Sequence, residues 1–145
     1  MIPKFRKYSN SDIEALLELM AQLGYEHSEE SLAKNISAVR GSGGEVFVAE
    51  LSGRVCGCVS AIIDVRLAAG TNGEIVSLVV DEASRGRGVG KGLVSTAENW
   101  LKDHTNVIRI RANVIREQAH EFYKNLGYSL SKTQVVFSKN VKQIT

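Results

Sequence analysis

The sequence predicts an α/β (α+β) fold in which one mixed β-sheet is flanked by helices. The first observation is the composition: 43% of the 145 residues are hydrophobic and 23% are charged, which is typical of a globular domain. The second is the order of the periodic segments, which is helix, helix, three strands, helix, strand, helix and strand. The third is that no linker, internal repeat or low-complexity segment interrupts this order. We therefore expect a single domain over residues 1–145.

Two helices are predicted before the first strand. The stretch SDIEALLELMAQLG begins at Ser11, has Glu14 three residues later as in a capping box, and stops at Gly24. Its apolar residues recur at helical spacing and form one face: Ile13, Leu16, Leu17, Met20 and Leu23. SEESLAKNISAV predicts a second, shorter helix, which the glycine-rich turn GSGG closes.

Three strands follow. EVFVAEL and RVCGCVSAIIDVRL alternate in polarity on either side of the turn SG, which predicts an antiparallel hairpin. After the loop AAGTNG, the short apolar run EIVSLVV predicts a buried strand. Cys56 and Cys58 are expected to be small core residues, because zinc needs about four ligands and no matching cluster of Cys and His follows. We therefore expect no metal site.

The remaining elements are a helix, a strand, a helix and a strand. From Val89, apolar residues at helical spacing predict an amphipathic helix of about three or four turns. VIRIRANVI returns to the alternation of a strand, and REQAHEFYKNLGY predicts a helix with Gly127 as its stop signal. VVFSK is predicted to form the last strand.

The segment RGRGVGKG, residues 85–92, lies between the buried strand and the helix that begins at Val89. Such a turn forms an anion site, because the first N–H groups of a helix have no partner within it and the helix dipole is positive there. The four glycines let a diphosphate approach the backbone, and three cations add charge. The spacing matches neither a P-loop nor a Rossmann fingerprint. A flexible turn with solvated cations is the alternative.

The overall charge argues for a local anion site and against broad nucleic-acid binding. Lys and Arg exceed Asp and Glu by two, from 18 against 16, so the field of the whole protein is weak. No aromatic residue is interleaved with the basic residues of the glycine-rich segment, as contact with single-stranded RNA would favour. No apolar run approaches the ~18 residues of a membrane span, and the amino-terminal residues lack the apolar core of a signal peptide. We expect a cytoplasmic protein with no membrane or nucleic-acid partner.

Two motifs carry a resemblance to a known family. The first is the pattern [QR]-x-x-G-x-[GA] directly after an apolar strand, at Arg85, Gly88 and Gly90. The second is A-x-x-F-Y-x-x-x-G-[FY] in the last predicted helix, whose positions are Ala119, Phe122, Tyr123, Gly127 and Tyr128. With these motifs and its order of elements, the chain resembles the GCN5-related N-acetyltransferases (GNAT family). Among small members it is similar to the aminoalkylphosphonate N-acetyltransferases.

The resemblance implies that the cosubstrate is acetyl-CoA. In this family the fourth and fifth strands, here residues 74–80 and 107–115, splay apart and hold the pantetheine arm, while the glycine loop holds the pyrophosphate. Many members carry Asn at the position of Arg116, so the chain departs from the pattern there. The residues expected to bind the cosubstrate are Leu78, Val79, Val80, Arg85, Gly86, Arg87, Gly88, Val89, Gly90, Lys91, Arg116 and Tyr123.

The resemblance also implies catalytic and acceptor residues. Glu74 is expected to accept the proton of the amine, often through water, and the alternative is a solvated acid at a strand end. Tyr123 is expected to protonate the leaving thiolate, since a phenol with a pKa of ~10 is protonated at neutral pH; a core aromatic is the alternative. The acceptor pocket is expected to include Tyr25, His27, Asp64 and Arg66.

The predicted function is therefore N-acetyl transfer from acetyl-CoA to a primary amine of a small molecule, by direct attack in a ternary complex. Three alternatives remain open: a non-catalytic CoA-binding or regulatory module, an acetyltransferase of proteins or peptides, and a nucleic-acid-binding domain. A homodimer is common among members of the family and is compatible with this chain.

Overall fold

The computed structural model describes residues 2–111 and 117–142. The chain divides into two compact units, residues 1–111 and residues 112–145. Each unit is described by itself, and the expectation of one domain stays a prediction.

The first unit contains a five-stranded mixed sheet with three helices, in the part of the chain that the structure describes. The strands lie in the order β1-β2-β3-β4-β5; the β4–β5 pair is parallel and the other pairs are antiparallel. The predicted mixed sheet flanked by helices is thus confirmed. In chain order the elements are β1 (Lys4–Lys7), α1 (Ile13–Leu23), α2 (Glu29–Gly41), β2 (Glu45–Leu51), β3 (Arg54–Arg66), β4 (Gly70–Val80), α3 (Val89–Leu101) and β5 (Ile108–Ile110).

Strand β1 is absent from the sequence prediction. Its four residues KFRK contain one apolar side chain, so they show neither the helical nor the strand periodicity of apolar residues. The strand is held by pairing with β2 and by Arg6, which contacts Glu50 of β2 at 3.3 Å and Asp12 at 2.7 Å. Tertiary contacts rather than local pattern therefore make this edge strand.

The start of α1 differs from the prediction. A short 3₁₀ turn, Asn10–Asp12, precedes the helix, and the capping box is formed by Ser9 and Asp12 rather than by Ser11 and Glu14. The Ser9 N–H donates to Oδ2 of Asp12 at 2.8 Å. Because Asp12 is also bound by the Arg6 guanidinium, it fixes the entry to the helix with a capping residue two positions earlier than predicted.

Two other boundaries of the first unit follow the predicted signals, and the start of β4 does not. Helix α1 ends at Gly24 with a φ of 107°, and the hairpin turn between β2 and β3 has Ser52 and Gly53 at φ values of 53° and 77°. Strand β4 begins at Gly70 rather than Glu74. Residues 70–73, which were predicted as part of a loop, pair with residues 63–66 at the end of β3.

The helices cover opposite faces of the sheet. Helices α1 and α2 pack with one face in a core that includes Leu16, Ile36, Val48, Cys58 and Val79. Leu19, which was not placed on the predicted apolar face of α1, is also buried there. On the other face, α3 buries its apolar residues: Val89, Leu93, Val94, Ala97 and Leu101.

The second unit contains α4 (Glu117–Asn125), and the chain turns away from the helix at Gly127 with a φ of 94°. Both features were predicted. Residues 112–116, where the strand over 107–115 was predicted to continue, lie outside the described residues. The predicted strand VVFSK is not formed: residues 135–139 have no regular structure, and the Phe137 side chain is 91% exposed. A strand needs a ladder partner, and the described residues supply none for this segment.

Candidate active site

Strand β4 contains a bulge that divides it into two segments. Before the bulge Val76 is paired with Ser60, and after it Val79 is paired with Cys58. Between these two pairs β4 therefore contains one more residue than β3. Ser77 lies in the bulge with a φ of 55°, which is rare for a residue with a side chain. Within the described residues, the ladder with β5 ends at the pair Ile75–Ile110, whereas β4 continues to Val80.

The predicted contacts at Leu78, Val79 and Val80 follow this bulge. The side chain of Val79 is buried in the core between the sheet and α1, so only its backbone is available to a ligand. The contact of these three residues with the cosubstrate stays a prediction.

The glycine-rich segment forms a tight loop at the start of α3. Gly86 and Gly88 have φ values of 81° and 79°, a conformation that favours glycine, and Gly88 caps the helix. The first helical bond is donated by the Gly92 N–H to the Gly88 carbonyl at 3.0 Å. The N–H groups of Val89, Gly90 and Lys91 therefore precede the helical ladder and are suited to bind an anion. The side chain of Val89 is buried, so its contribution is limited to the backbone.

The charges around the loop fit a diphosphate. Arg85, Arg87 and Lys91 are exposed at the loop, and Arg85 Nε donates to the Val80 carbonyl at 3.4 Å. Two left-handed glycines, exposed cations and a helix N-terminus are together the chemistry that holds a pyrophosphate. These residues fit the diphosphate of acetyl-CoA.

Gly92 has a different role from the one predicted. A Cβ at this position would clash with the Phe5 ring of β1, so the glycine allows β1 and α3 to pack closely. The sequence pattern groups Gly92 with the loop glycines, but a glycine is required there by the packing against Phe5 and not by the approach of a diphosphate.

A side chain of α1 forms hydrogen bonds with the two residues that follow β4 and precede the loop. Gln22 Nε2 donates to Asp81 Oδ1 at 2.7 Å, and the Glu82 N–H donates to Gln22 Oε1 at 3.3 Å. Both contacts join residues about sixty positions apart, so no local signal could have revealed them. Gln22 thus ties α1 to the end of β4 just before the loop.

Glu74 lies in the middle of the sheet and not at a solvated strand end. It is paired in register with Ile62 of β3 and Arg109 of β5, and only 7% of it is exposed. Arg111 Nε donates to Glu74 Oε1 at 2.9 Å. The solvated-acid alternative is therefore wrong, because the carboxylate is buried and ion-paired. Its role as the acceptor of the amine proton stays a prediction.

The sequence analysis did not select Arg111. The available signal was charge balance: an acid inside an apolar strand requires a cation nearby, and the neighbouring strand places Arg109 and Arg111 at alternate positions. Alternation puts these two side chains on one face, and the register sets Arg109 beside Glu74, so only the fold shows that the ion pair is formed by Arg111.

A cavity of about 250 Å³ lies between α1, α2 and the strands β3 and β4. It is formed by both apolar and polar side chains, and the predicted residues Tyr25 and His27 are among them. His27 Nδ1 lies 3.1 Å from Ser31 Oγ, which holds the ring at the start of α2. The remaining lining residues are Leu16, Met20, Leu32, Asn35, Ile36, Val39, Val46, Cys58, Val59, Ser60 and Ser77.

The cavity reaches the bulge of β4 and approaches Glu74. Ser77 of the bulge and Ser60 opposite Val76 are both in its wall. Glu74 is not a lining residue, but it lies on the same sheet face, two residues before Val76 along β4 or about 7 Å. One water molecule can span such a gap between a carboxylate and a group in the cavity.

The structure does not bring Asp64 and Arg66 to this cavity. They lie near the far end of β3, where Arg66 Nε contacts Asp64 Oδ2 at 2.8 Å. Asp64 is four residues beyond Ser60, or about 13 Å along the strand. Their predicted contact with the acceptor stays a prediction without support from the cavity.

Tyr123 belongs to the second unit, on α4. Its side chain is half-buried, and its ring lies 5.3 Å from that of Phe122 and 6.3 Å from that of Tyr128. Ala119, Phe122 and Leu126 are also half-buried, as the predicted face requires. Arg116 lies outside the described residues. The role of Tyr123 as a general acid stays a prediction.

Metal ligation finds no support in the described residues. Over 2–111 and 117–142, no group of three His, Cys, Asp or Glu side chains could hold a metal ion. Cys56 and Cys58 are free and buried, as predicted for core residues. Among these same residues, no helix has the length and apolar character that crossing a bilayer requires.

Comparison with known proteins agrees with the geometry. The model of the acetyltransferase (GNAT) family matches residues 12–128. An uncharacterised N-acetyltransferase of Methanocaldococcus jannaschii, MJ1530, is 30% identical over 125 residues, which cover 85% of this chain and 76% of that protein.

Solved structures of similar fold include two acetyltransferases. The crystal structure of an acetyltransferase of Trypanosoma brucei has 25% identity and a TM-score of 0.80, and the match covers 95% of this chain and 100% of that one. Glucosamine-6-phosphate N-acetyltransferase from Arabidopsis thaliana has 24% identity and a TM-score of 0.79, with 98% and 100% covered. The chain therefore belongs to the acetyltransferase (GNAT) family and is an acyl-CoA-dependent acetyltransferase.

Proposed function

We propose that this protein transfers the acetyl group of acetyl-CoA to a primary amine of a small molecule by direct attack in a ternary complex. The observation that carries the proposal is the course of β4. Its bulge lies in the wall of the cavity at Ser77, and its end at Val80 leads into the anion-binding loop. One strand thus connects a place for the acceptor with a place for the diphosphate.

Acetyl-CoA is bound in this proposal by backbone and by charge. The N–H groups of residues 89–91 hold the pyrophosphate at the start of α3, and Arg85, Arg87 and Lys91 add positive charge. The N–H groups of residues 78–80 bind the pantetheine arm and the thioester oxygen along the part of β4 beyond its last described pair with β5. The predicted contact of Arg116 with the cosubstrate belongs to the same proposal.

The chemical step needs an amine without its extra proton. The amine nitrogen attacks the thioester carbon, a C–N bond forms, and the C–S bond breaks with its electron pair moving to sulfur. Glu74 accepts a proton from the amine through a water molecule, and Tyr123 donates its phenolic proton to the thiolate. The sum is one amide and one CoA thiol, with no change in oxidation state.

The cavity favours a small acceptor. Its volume of about 250 Å³ suits one compact group rather than a folded protein segment. The Arabidopsis protein of the same fold acts on a phosphorylated amino sugar, as its name states, which supports a small amine as the acceptor. Cytoplasmic location and dimer formation remain predictions, as does the similarity to aminoalkylphosphonate acetyltransferases.

The test combines binding and turnover. Calorimetric titration with acetyl-CoA should show saturable binding, and a thiol-release assay over a panel of amines should give release of CoA that depends on the amine. Binding without amine-dependent release, together with acetylation of a peptide library, would replace the small-molecule acceptor by a peptide. Binding with neither activity would favour the regulatory module.

A further inference from the structure

We infer that the acceptor is a primary amine with an uncharged, apolar body, and not a polyamine, an aminoglycoside or an amine that carries a phosphonate. This inference rests on the proposed function, since it concerns the acceptor of the same reaction. It is drawn from the wall of the cavity between α1, α2 and the sheet.

The cavity wall has no fixed charge to recognise a charged acceptor. Of the described residues that line it, none is Asp, Glu, Lys or Arg. A second ammonium group or a phosphonate needs an opposite charge or several donors when it leaves water, because burying an unpaired ion is strongly unfavourable. The walls are instead dominated by aliphatic side chains from Leu16, Leu32, Ile36, Val39 and Val46.

Two of the polar side chains of the cavity wall have partners within the fold. Ser60 Oγ donates to the Val76 carbonyl at 3.2 Å, and His27 Nδ1 lies 3.1 Å from Ser31 Oγ. Burial raises the pKa of the Cys58 thiol to about 12, so this group is neutral at physiological pH. Across the described chain, no buried side-chain nitrogen or oxygen lacks a hydrogen-bond partner. A wall of this kind suits an apolar guest.

The size of the cavity sets the size of the guest. A cavity of about 150 Å³ is known to hold benzene, so 250 Å³ has room for a ring or a chain of similar bulk and a short arm. The arm places the amine toward Ser77 and the bulge of β4. An apolar cavity also disfavours the ammonium form of the amine, and the neutral amine is the form that attacks.

The first experiment uses a series of amines with the unmodified enzyme. Acetyl-CoA turnover is measured with straight-chain amines from propylamine to hexylamine, with phenethylamine, with cadaverine and with aminoethylphosphonate. Each added methylene should raise kcat/KM by about fourfold until the cavity is filled. Cadaverine matches hexylamine in length but ends in an ammonium group, and its kcat/KM should be lower by about 100-fold or more.

The second experiment adds one charge to the wall. Asn35 lines the cavity at its exposed side, so Asn35→Asp changes its charge without changing its size. We expect kcat/KM for cadaverine, relative to hexylamine, to rise about fivefold. The matched control is Ser37→Asp, which adds the same charge to an exposed position of α2 that does not line the cavity. It should leave the ratio unchanged.

The outcomes separate this inference from the proposed function. A flat methylene series, or higher kcat/KM with cadaverine or aminoethylphosphonate than with hexylamine, would overturn the inference while leaving acetyl transfer to an amine in place. An equal response to Asn35→Asp and Ser37→Asp would also overturn it, because the charge would not then act from the cavity. If acetyl-CoA binds and no amine accelerates thiol release, the proposed function fails and the inference fails with it.

Discussion

The glycine loop at the start of α3 and the cavity under α1 and α2 meet the same strand but are built from different parts of the chain. The loop offers backbone N–H groups and exposed cations, and two of its glycines have left-handed conformations. The cavity offers side chains that come from five elements and the loop between α1 and α2, over the range from Leu16 to Ser77. The first is a site made by a local backbone conformation, and the second is a site made by packing.

This difference predicts how each region responds to substitution. The loop should be intolerant of any side chain that changes its conformation, whereas its cations can be replaced individually because the N–H groups remain. The cavity should tolerate exchange of one aliphatic residue for another but respond strongly to charge. The first of four experiments tests the loop, and the other three test residues outside the loop and the cavity wall; they are ordered from the largest expected effect on the reaction to the smallest.

Gly88→Asp should remove measurable binding of acetyl-CoA. The new residue is strained at a φ of 79°, and its carboxylate repels the diphosphate. Gly53→Asp is the matched control, because it introduces the same side chain at a φ of 77° in the β2–β3 turn. Both variants should lose a similar small amount of stability in thermal melts, and only Gly88→Asp should lose calorimetric binding. Parental affinity in a folded Gly88→Asp protein would contradict the assignment of the loop.

Tyr123→Phe should lower kcat by about 10²–10⁴-fold if its hydroxyl protonates the thiolate. The ring and its contacts with Phe122 and Tyr128 are kept, so the melting temperature should change little. Tyr128→Phe serves as the control for loss of a hydroxyl from the same unit, and its kcat should stay near that of the parent. If Tyr123 is a core aromatic, Phe is tolerated and only truncation to Ala matters, through lost packing.

Glu74→Gln should lower kcat/KM by about 100-fold, at the low end for general-base catalysis. The amide keeps the shape of the side chain but cannot accept the amine proton. Arg111→Gln breaks the same 2.9 Å ion pair but keeps the carboxylate. Equal kinetic losses in both variants would mean that the ion pair, and not the carboxylate, is what the reaction requires; melts of both report the structural cost.

Asp12→Asn should leave acetyl-CoA affinity unchanged and reduce stability. The hydrogen bonds from Arg6 hold the pKa of Asp12 below its usual range, so the ionised carboxylate stabilises the fold. This stabilisation is fully present above the pKa of an unfolded aspartate and is lost as the pH falls through the lower folded value. Urea unfolding at neutral pH should show a loss of about 1.5–3 kcal/mol that shrinks in acid. Asp103→Asn, at an exposed position, should cost little at any pH.

The loop was predictable from sequence and the cavity was predictable only in part, for the same physical reason. The backbone angles at positions 86 and 88 favour glycine, and such a local requirement is visible in the sequence as the glycines themselves. Tyr25 and His27 were selected from the family resemblance and do line the cavity, but Asp64 and Arg66 lie elsewhere because strand length and register decide where a side chain ends.

The missed features depend on contacts between distant segments. Strand β1 exists because Arg6 contacts Asp12 and Glu50, and the Gln22 contacts join α1 to the end of β4. The ion pair of Glu74 is formed by Arg111, although Arg109 is the residue in register with it. The predicted strand at VVFSK is the opposite case, in which a local pattern was present and, among the described residues, the contacts with another strand were not. Its β-branched residues favour an extended chain, but propensity without a neighbour does not make a ladder.

The close packing of Phe5 against Gly92 has a consequence for the order in which the parts of the molecule fold. Residues 4–7 are synthesised before β2 and α3, yet they pair with β2 and touch α3, which follows more than eighty residues later. Strand β1 therefore cannot complete its packing until the helix that presents the loop has been made. A fusion placed directly before residue 4 would adjoin the strand that packs against this helix, so the position of a purification tag can be expected to influence cosubstrate affinity as well as yield.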